Sequence, residues 1–187
     1  MLRKNRKKSG YSLSEVLVVV TAMGVLSSMG VVGFQSAVSN ARAKDASTNT
    51  ANFLERVSHE ANRTSETLCL MKAPGNNEHK MLVYQSECTP GSLGSAIDSL
   101  IIESPNKFVA LDSCESVDPT LSALDLDDWW KDGCEFAPRF GQLLATPRKG
   151  AVCIKGGSGT YALALKEPTI SSIKSLWSVG GEKFKGL

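Results

Sequence analysis

Three groups of residues in this sequence could do chemistry. The first is Glu15. It heads a stretch with no other charge until Arg42, and Val16–Phe34 within that stretch is strongly apolar. A carboxylate at the edge of such a run is expensive unless a cation neutralises it, so its chemistry is charge pairing in an apolar medium. The second group is five cysteines, Cys69, Cys88, Cys114, Cys134 and Cys153, all beyond the apolar run. In an oxidising compartment they join in pairs. The third is the acidic stretch Asp125-Leu126-Asp127-Asp128-Trp129-Trp130-Lys131-Asp132-Gly133, whose carboxylates could offer oxygens to calcium. It lacks the EF-hand spacing, and Trp129 stands where a ligand would be wanted, so a short helix or turn with solvated acids and a buried tryptophan is expected.

Other motifs fall away on inspection. Lys155-Gly156-Gly157-Ser158-Gly159-Thr160 suggests a phosphate loop, but it has no GK[ST] ending and no helical pattern after it, which leaves a tight turn. Zinc would need a Cys-x-x-Cys pair. None is present, and the two histidines, His59 and His79, lie far in sequence from the cysteines. No Gly-x-Ser-x-Gly or His-Glu-x-x-His motif supports catalysis. The sequence therefore predicts no metal, no cofactor and no enzymatic activity. Asn62-Arg63-Thr64 matches a glycosylation sequon of a kind common by chance.

The element that must position Glu15 is a long helix. At 1.5 Å per residue, Val16–Phe34 spans about 28 Å, close to a hydrocarbon core of roughly 30 Å. Arg3, Lys4, Arg6, Lys7 and Lys8 precede it and no cation follows soon after, which predicts a cytoplasmic N-terminus. Those five belong to 21 cations in all, and the 16 that remain face 19 acids. The body is thus mildly acidic, which argues against broad nucleic-acid binding. A secretory signal peptide would have a shorter apolar core with its cleavage site on the far side.

The run from Gly10 through Tyr11, Ser12, Leu13, Ser14, Glu15 and on to Leu26 resembles the class III leader and first helix of type IV pilins and type II secretion pseudopilins. The resemblance implies cleavage after Gly10 by a prepilin peptidase, with methylation of the new N-terminus at Tyr11. It makes Glu15 the fifth mature residue, the family's conserved glutamate. There the family has mostly Phe where this chain has Tyr11, and an aliphatic residue where it has Ser14. A cut at Gly10 removes five positive charges, leaves the apolar helix intact and frees an amine at Tyr11. A neighbouring subunit's amine could then neutralise Glu15 and set the register between adjacent helices. Gly24, Gly30 and Gly33 weaken the helix, each by about 1 kcal/mol relative to Ala. They permit close helix packing or local loosening, the latter a role that proline fills in many family members.

Beyond Phe34 the pattern becomes amphipathic. Phe34, Ala37, Val38, Ala41, Phe53, Leu54, Val57, Ala61 and Leu68 recur at helical spacing opposite Arg42, Lys44, Asp45, Glu55, Arg56, Glu60 and Arg63. One helix is predicted from about Ser12 to Ser65, loosening near Ala46–Thr50, where Ser47, Thr48 and Thr50 compete for backbone hydrogen bonds. His59 falls on its solvent side or at the sheet rim. After it come strand-like segments: Thr67–Lys72 and Lys80–Ser86 around a turn at 73–77, Phe108–Leu111, then Gly150–Lys155 and Thr160–Lys166 around the glycine turn, and Ile173–Val179. The expected fold is α+β, the pilin fold: a long N-terminal helix, transmembrane then amphipathic, packed on a small antiparallel β-sheet head. The predicted divisions are a cleaved leader at 1–10, a transmembrane or filament-core helix at 11–40, its amphipathic half at 41–66 and a β-rich head at 67–187. An early β-hairpin after the helix most resembles the minor pilin and pseudopilin group.

For the cysteines, the segment order favours Cys69–Cys88, on or just after neighbouring strands. It also favours Cys114–Cys134, closing an acidic loop and leaving Cys153 free, among about fifteen open arrangements. The expected function is a structural one, a minor pilin or pseudopilin in a filament. The implied partners are like subunits, the prepilin peptidase, an inner-membrane assembly platform and the membrane itself, with nucleic acid disfavoured. The resemblance places the chain in the inner membrane before assembly, then in a periplasmic pseudopilus or a surface pilus. The rival expectation is a DNA-uptake or adhesion module, for which Arg139, Arg148, Lys149 and Lys155 could form a basic stripe. Trp129, Trp130 and Trp177 are expected in the core or at subunit contacts rather than as a stacking platform.

Overall fold

The structure, a computed structural model, describes residues 11–89, 93–119, 121, 125–138, 149–157, 159–165, 173–179 and 184–186. Gly10, Arg139 and Arg148, named above, lie outside what it describes, as does the side chain of Trp177. The chain divides into two compact units, residues 1–37 and 38–187.

Helix α1 runs from Leu13 to Thr64. In the first unit its described large apolar side chains are exposed, from Leu13 at 84% to Phe34 at 72%. It is the one helix among the described residues long and apolar enough to cross a membrane. In the second unit its character changes. Ala43, Ala46, Ser47, Thr50, Phe53, Leu54, Val57, Ser58 and Ala61 are buried, recurring at three- and four-residue steps along one face. Of the predicted stripe, Phe34, Ala37 and Ala41 are instead exposed and Val38 is half-buried, so burial starts later than the periodicity suggested.

The expected loosening at Ala46–Thr50 is corrected: α1 is unbroken there. Thr48 and Thr50 each donate their hydroxyl to the carbonyl four residues back, Lys44 at 3.1 Å and Ala46 at 2.7 Å, so they add to the helical ladder without replacing it. The helix stops at Ser65, whose φ of 56° turns the chain out of the right-handed helix.

Among the described residues, ten strands follow in two sheets. The first has the order β3-β2-β1-β6, built from β1 (Leu68–Lys72), β2 (Lys80–Tyr84), β3 (Ala96–Ile101) and β6 (Cys134–Phe136). β1 and β2 form the early hairpin, antiparallel, with Leu70 opposite Val83. The second sheet has the order β10-β9-β8-β7-β4. Its strands are β4 (Lys107–Val109), β7 (Gly150–Gly156), β8 (Gly159–Leu165), β9 (Ile173–Val179) and β10 (Lys185–Gly186). The free edge of β7 is shared: β4 pairs antiparallel with its last residues, and β5 (Asp127–Asp128) parallel with its first. β3, β5, β6 and β10, with the short helix α2 (Leu111–Glu115), were not anticipated.

Two hydrophobic clusters stabilise the second unit. The larger joins the buried face of α1 to both sheets through Leu70, Met81, Phe108, Trp129, Phe136, Val152, Ile154, Tyr161 and Leu163. The smaller lies on the other face of β7 and β8, where Ala151, Cys153, Ala162 and Ala164 meet Leu111, Cys114 and Leu121. Alternation along a strand explains the partition: Val152 and Ile154 face one cluster, Ala151 and Cys153 the other. The architecture is α+β, a long N-terminal helix with antiparallel sheets in the head, as the sequence predicts.

Candidate functional site

The first turn of α1 concentrates the polar groups of the first unit. Ser12 is the last residue before the helix, and its hydroxyl accepts the Glu15 N–H at 3.3 Å. In return the Glu15 carboxylate accepts the Ser12 N–H through Oε2 at 3.3 Å, and the Ser12 hydroxyl lies 3.4 Å from the same oxygen. This is a capping box, Ser-x-x-Glu, in which the two ends of the first turn satisfy each other's free donors. A carboxylate there also meets the positive end of the helix dipole. The Ser14 hydroxyl stands 3.1 Å from that of Ser12. The pattern was legible in Ser12-Leu13-Ser14-Glu15 before an apolar run, but reading Glu15 only for its charge passed over it.

Around this polar turn none of the described residues covers the apolar surface. Tyr11 is 86% exposed, and Val16, Leu17, Val18, Val19, Val20, Met23, Val25 and Leu26 are all exposed. A side chain added at Gly24 or Gly33 would meet nothing within 4 Å. Gly24 and Gly33 therefore make no packing contact with the described residues.

The cysteines of the head are paired differently from the sequence expectation in one bond. Cys69 and Cys88 are joined, as expected. Cys114 is joined to Cys153, and Cys134 is the free one. Strand parity explains the correction. Cys134 lies opposite Leu70 across β1 and β6, on the sheet face that packs into the larger cluster. Cys114 and Cys153 belong to the smaller cluster, on the far face of β7. A Cys114–Cys134 bond would have to cross a sheet. Burial pushes the Cys134 thiol well above its ordinary pKa, so it behaves as a small hydrophobe.

The acidic stretch is used for local structure. The Asp128 carboxylate accepts backbone N–H groups of Leu111 at 2.9 Å, Trp130 at 3.0 Å and Lys131 at 3.3 Å, so it is an internal cap joining α2 to the 128–132 turn. Burial raises the pKa of Asp127, and Asp125 and Asp132 add to the shift by repulsion. Among the described residues, no three His, Cys, Asp or Glu side chains are grouped to hold a metal. Trp129 and Trp130 are buried, and Trp130 stacks on Phe108 at 5.2 Å. His59 is on the exposed side of α1.

The glycine motif is a hairpin tip. Gly156 pairs with Gly159 across β7 and β8, and Gly157 has φ of 57°. A Cβ on Gly156 would stand 1.9 Å from Asn106 Oδ1 and 3.0 Å from Ala43 Cβ, so the tip lies tightly against α1. Beside it, a cavity of about 440 Å³ opens between Arg42, Asp45 and Asn49 of α1 and Leu100, Glu103 and Asn106. Its charged lining is exposed and of both signs, without the convergent geometry of a catalytic centre.

Comparison with known proteins finds no matching family model, no matching curated protein and no matching solved structure.

Proposed function

We propose that this chain is a structural subunit of a type IV pilus-like or type II secretion pseudopilus filament, in the manner of a minor pilin or pseudopilin. The observation that carries the reading is the stretch of α1 from Leu13 to Phe34: apolar, with its described large apolar side chains exposed, and headed by one carboxylate in its first turn. A helix of this kind is stable in water only if something buries it, and a lipid bilayer or a bundle of like helices can do so. In the bilayer Glu15 has no neighbouring subunit's amine beside it. In a bundle, a neighbour's amine at Tyr11 neutralises it, which favours leaving lipid for the filament and fixes the register of adjacent helices. Processing after Gly10 creates that amine. The two disulfides of the head agree with a location beyond the membrane, on the oxidising side.

The test is the intact mass and N-terminal peptide of the protein recovered from its own membrane. The reading expects a chain starting at methylated Tyr11 with the apolar helix retained. Retention of Met1 in cells with an active prepilin peptidase overturns it, and a cut beyond Phe34 points to an exported soluble head.

A further inference from the structure

Building on the filament reading, we propose that Ser12 and Ser14 are positioning residues for Glu15: they hold one carboxylate oxygen within the subunit and present the other to the neighbour's cation. Both Ser12 contacts, from its N–H and its hydroxyl, fall on Oε2. Oε1 accepts no hydrogen bond among the described residues. A carboxylate has about four acceptor sites, so the oxygen that is held leaves the other fully available. The flanking side chains, Leu13, Val16 and Leu17, are apolar and exposed, and offer Oε1 no alternative partner.

Ser14 gives this arrangement its direction. The Ser12 hydroxyl has one proton, and it lies within reach of both Glu15 Oε2 and Ser14 Oγ. When Ser14 donates to Ser12, the Ser12 proton is free for Oε2, and the three groups form a chain of donors ending on the carboxylate. Capping alone requires only that Ser12 accept the Glu15 N–H. The reciprocal contacts to Oε2 go further and fix the carboxylate's rotation. Ser14, where an aliphatic residue would suit an apolar bundle better, thereby has a role specific to this chain.

The experiment expresses full-length variants in cells that assemble the filament. It scores the filament fraction per chain that begins at Tyr11, as determined by mass. Glu15→Gln should abolish assembly. Ser12→Ala should lower it about fivefold, the scale of a lost cap, and Ser12→Thr, which keeps the hydroxyl, should restore it. Ser12→Asp is the discriminating variant, because aspartate caps a helix well but repels Glu15. It should assemble as poorly as Ser12→Ala. If Ser12→Asp assembles like the unaltered chain, Ser12 is only a cap and the proposal fails. If Glu15→Gln assembles normally, the filament reading itself fails. If Glu15→Gln is inactive while Ser12→Ala is normal, only the positioning role is lost. Ser14→Leu, further from the cut, carries the test should Ser12 variants escape processing: reduced assembly supports the donor chain and full assembly overturns it.

Discussion

Cys114 in α2 is bonded to Cys153 in β7, 39 residues further along the chain, and both side chains are fully buried in the smaller hydrophobic cluster. The bond ties a five-residue helix, too short to be stable alone, to a central strand. Cys114→Ser or Cys153→Ser should therefore cost about 2–4 kcal/mol, measured as the shift in a denaturant midpoint. Reducing the unaltered head opens Cys69–Cys88 as well and should cost more than either substitution.

Cys134 sits on the opposite side of this division and gives a labelling prediction. Alkylation of the native, unreduced protein should leave it unmodified. Unfolding without reductant should expose a single reactive thiol, which peptide mapping places at Cys134. Two or more adducts would contradict the pairing described here.

Gly150 packs against the Trp129 indole so closely that an added Cβ would stand 1.9 Å from Nε1. Gly150→Ala should destabilise the head by about 1–3 kcal/mol through overpacking, read from urea unfolding. Gly75→Ala is a useful comparison, since its strain is purely conformational: φ is 84° and nothing lies within 4 Å.

Asp127 sets a pH dependence of known sign. Burial, with repulsion from Asp125 and Asp132, raises its folded pKa above the unfolded value. The protonated form is thus favoured in the folded state, and stability is lost as pH rises through the carboxylate range towards the raised pKa. Asp127→Asn should raise the melting temperature at neutral pH, with the gain vanishing below pH about 3.5, near the reference pKa of aspartate. A gain that persists in acid would assign the effect to something other than charge.

Asp128 should respond differently, because its carboxylate serves three backbone amides. Asp128→Ala should cost about 1–3 kcal/mol by leaving part-buried backbone donors unpaired. Calcium and chelator should leave the melting temperature of the unaltered head unchanged, since this carboxylate is already engaged.

The sequence made the long helix, the early hairpin and the β7–β8 hairpin legible because each has a strong local signal. For the helix the signal is apolar periodicity, and for the hairpins it is Pro74-Gly75 and Gly156–Gly159 between β-rich runs. What escaped depends on distant partners. β6 is three residues long and exists because β1 offers an edge to it. β3 is mostly exposed, and its pairing with β2 shifts register opposite Val83 and Tyr84, so it has little buried face to read. Which cysteine Cys114 meets depends on the face of β7 that Cys153 occupies, and that parity appears only once the sheets are assembled. The capping box at Ser12–Glu15 was the exception, a local signal that the charge of Glu15 overshadowed.

β7 is covered on both sides, with Val152 and Ile154 in one cluster and Ala151 and Cys153 in the other. Losing this strand would open both clusters together. Damage along Gly150–Gly156 should therefore be felt on both sides of the sheet rather than as local fraying. The Cys114–Cys153 bond anchors this strand to α2, so its oxidation state should act on both clusters at once.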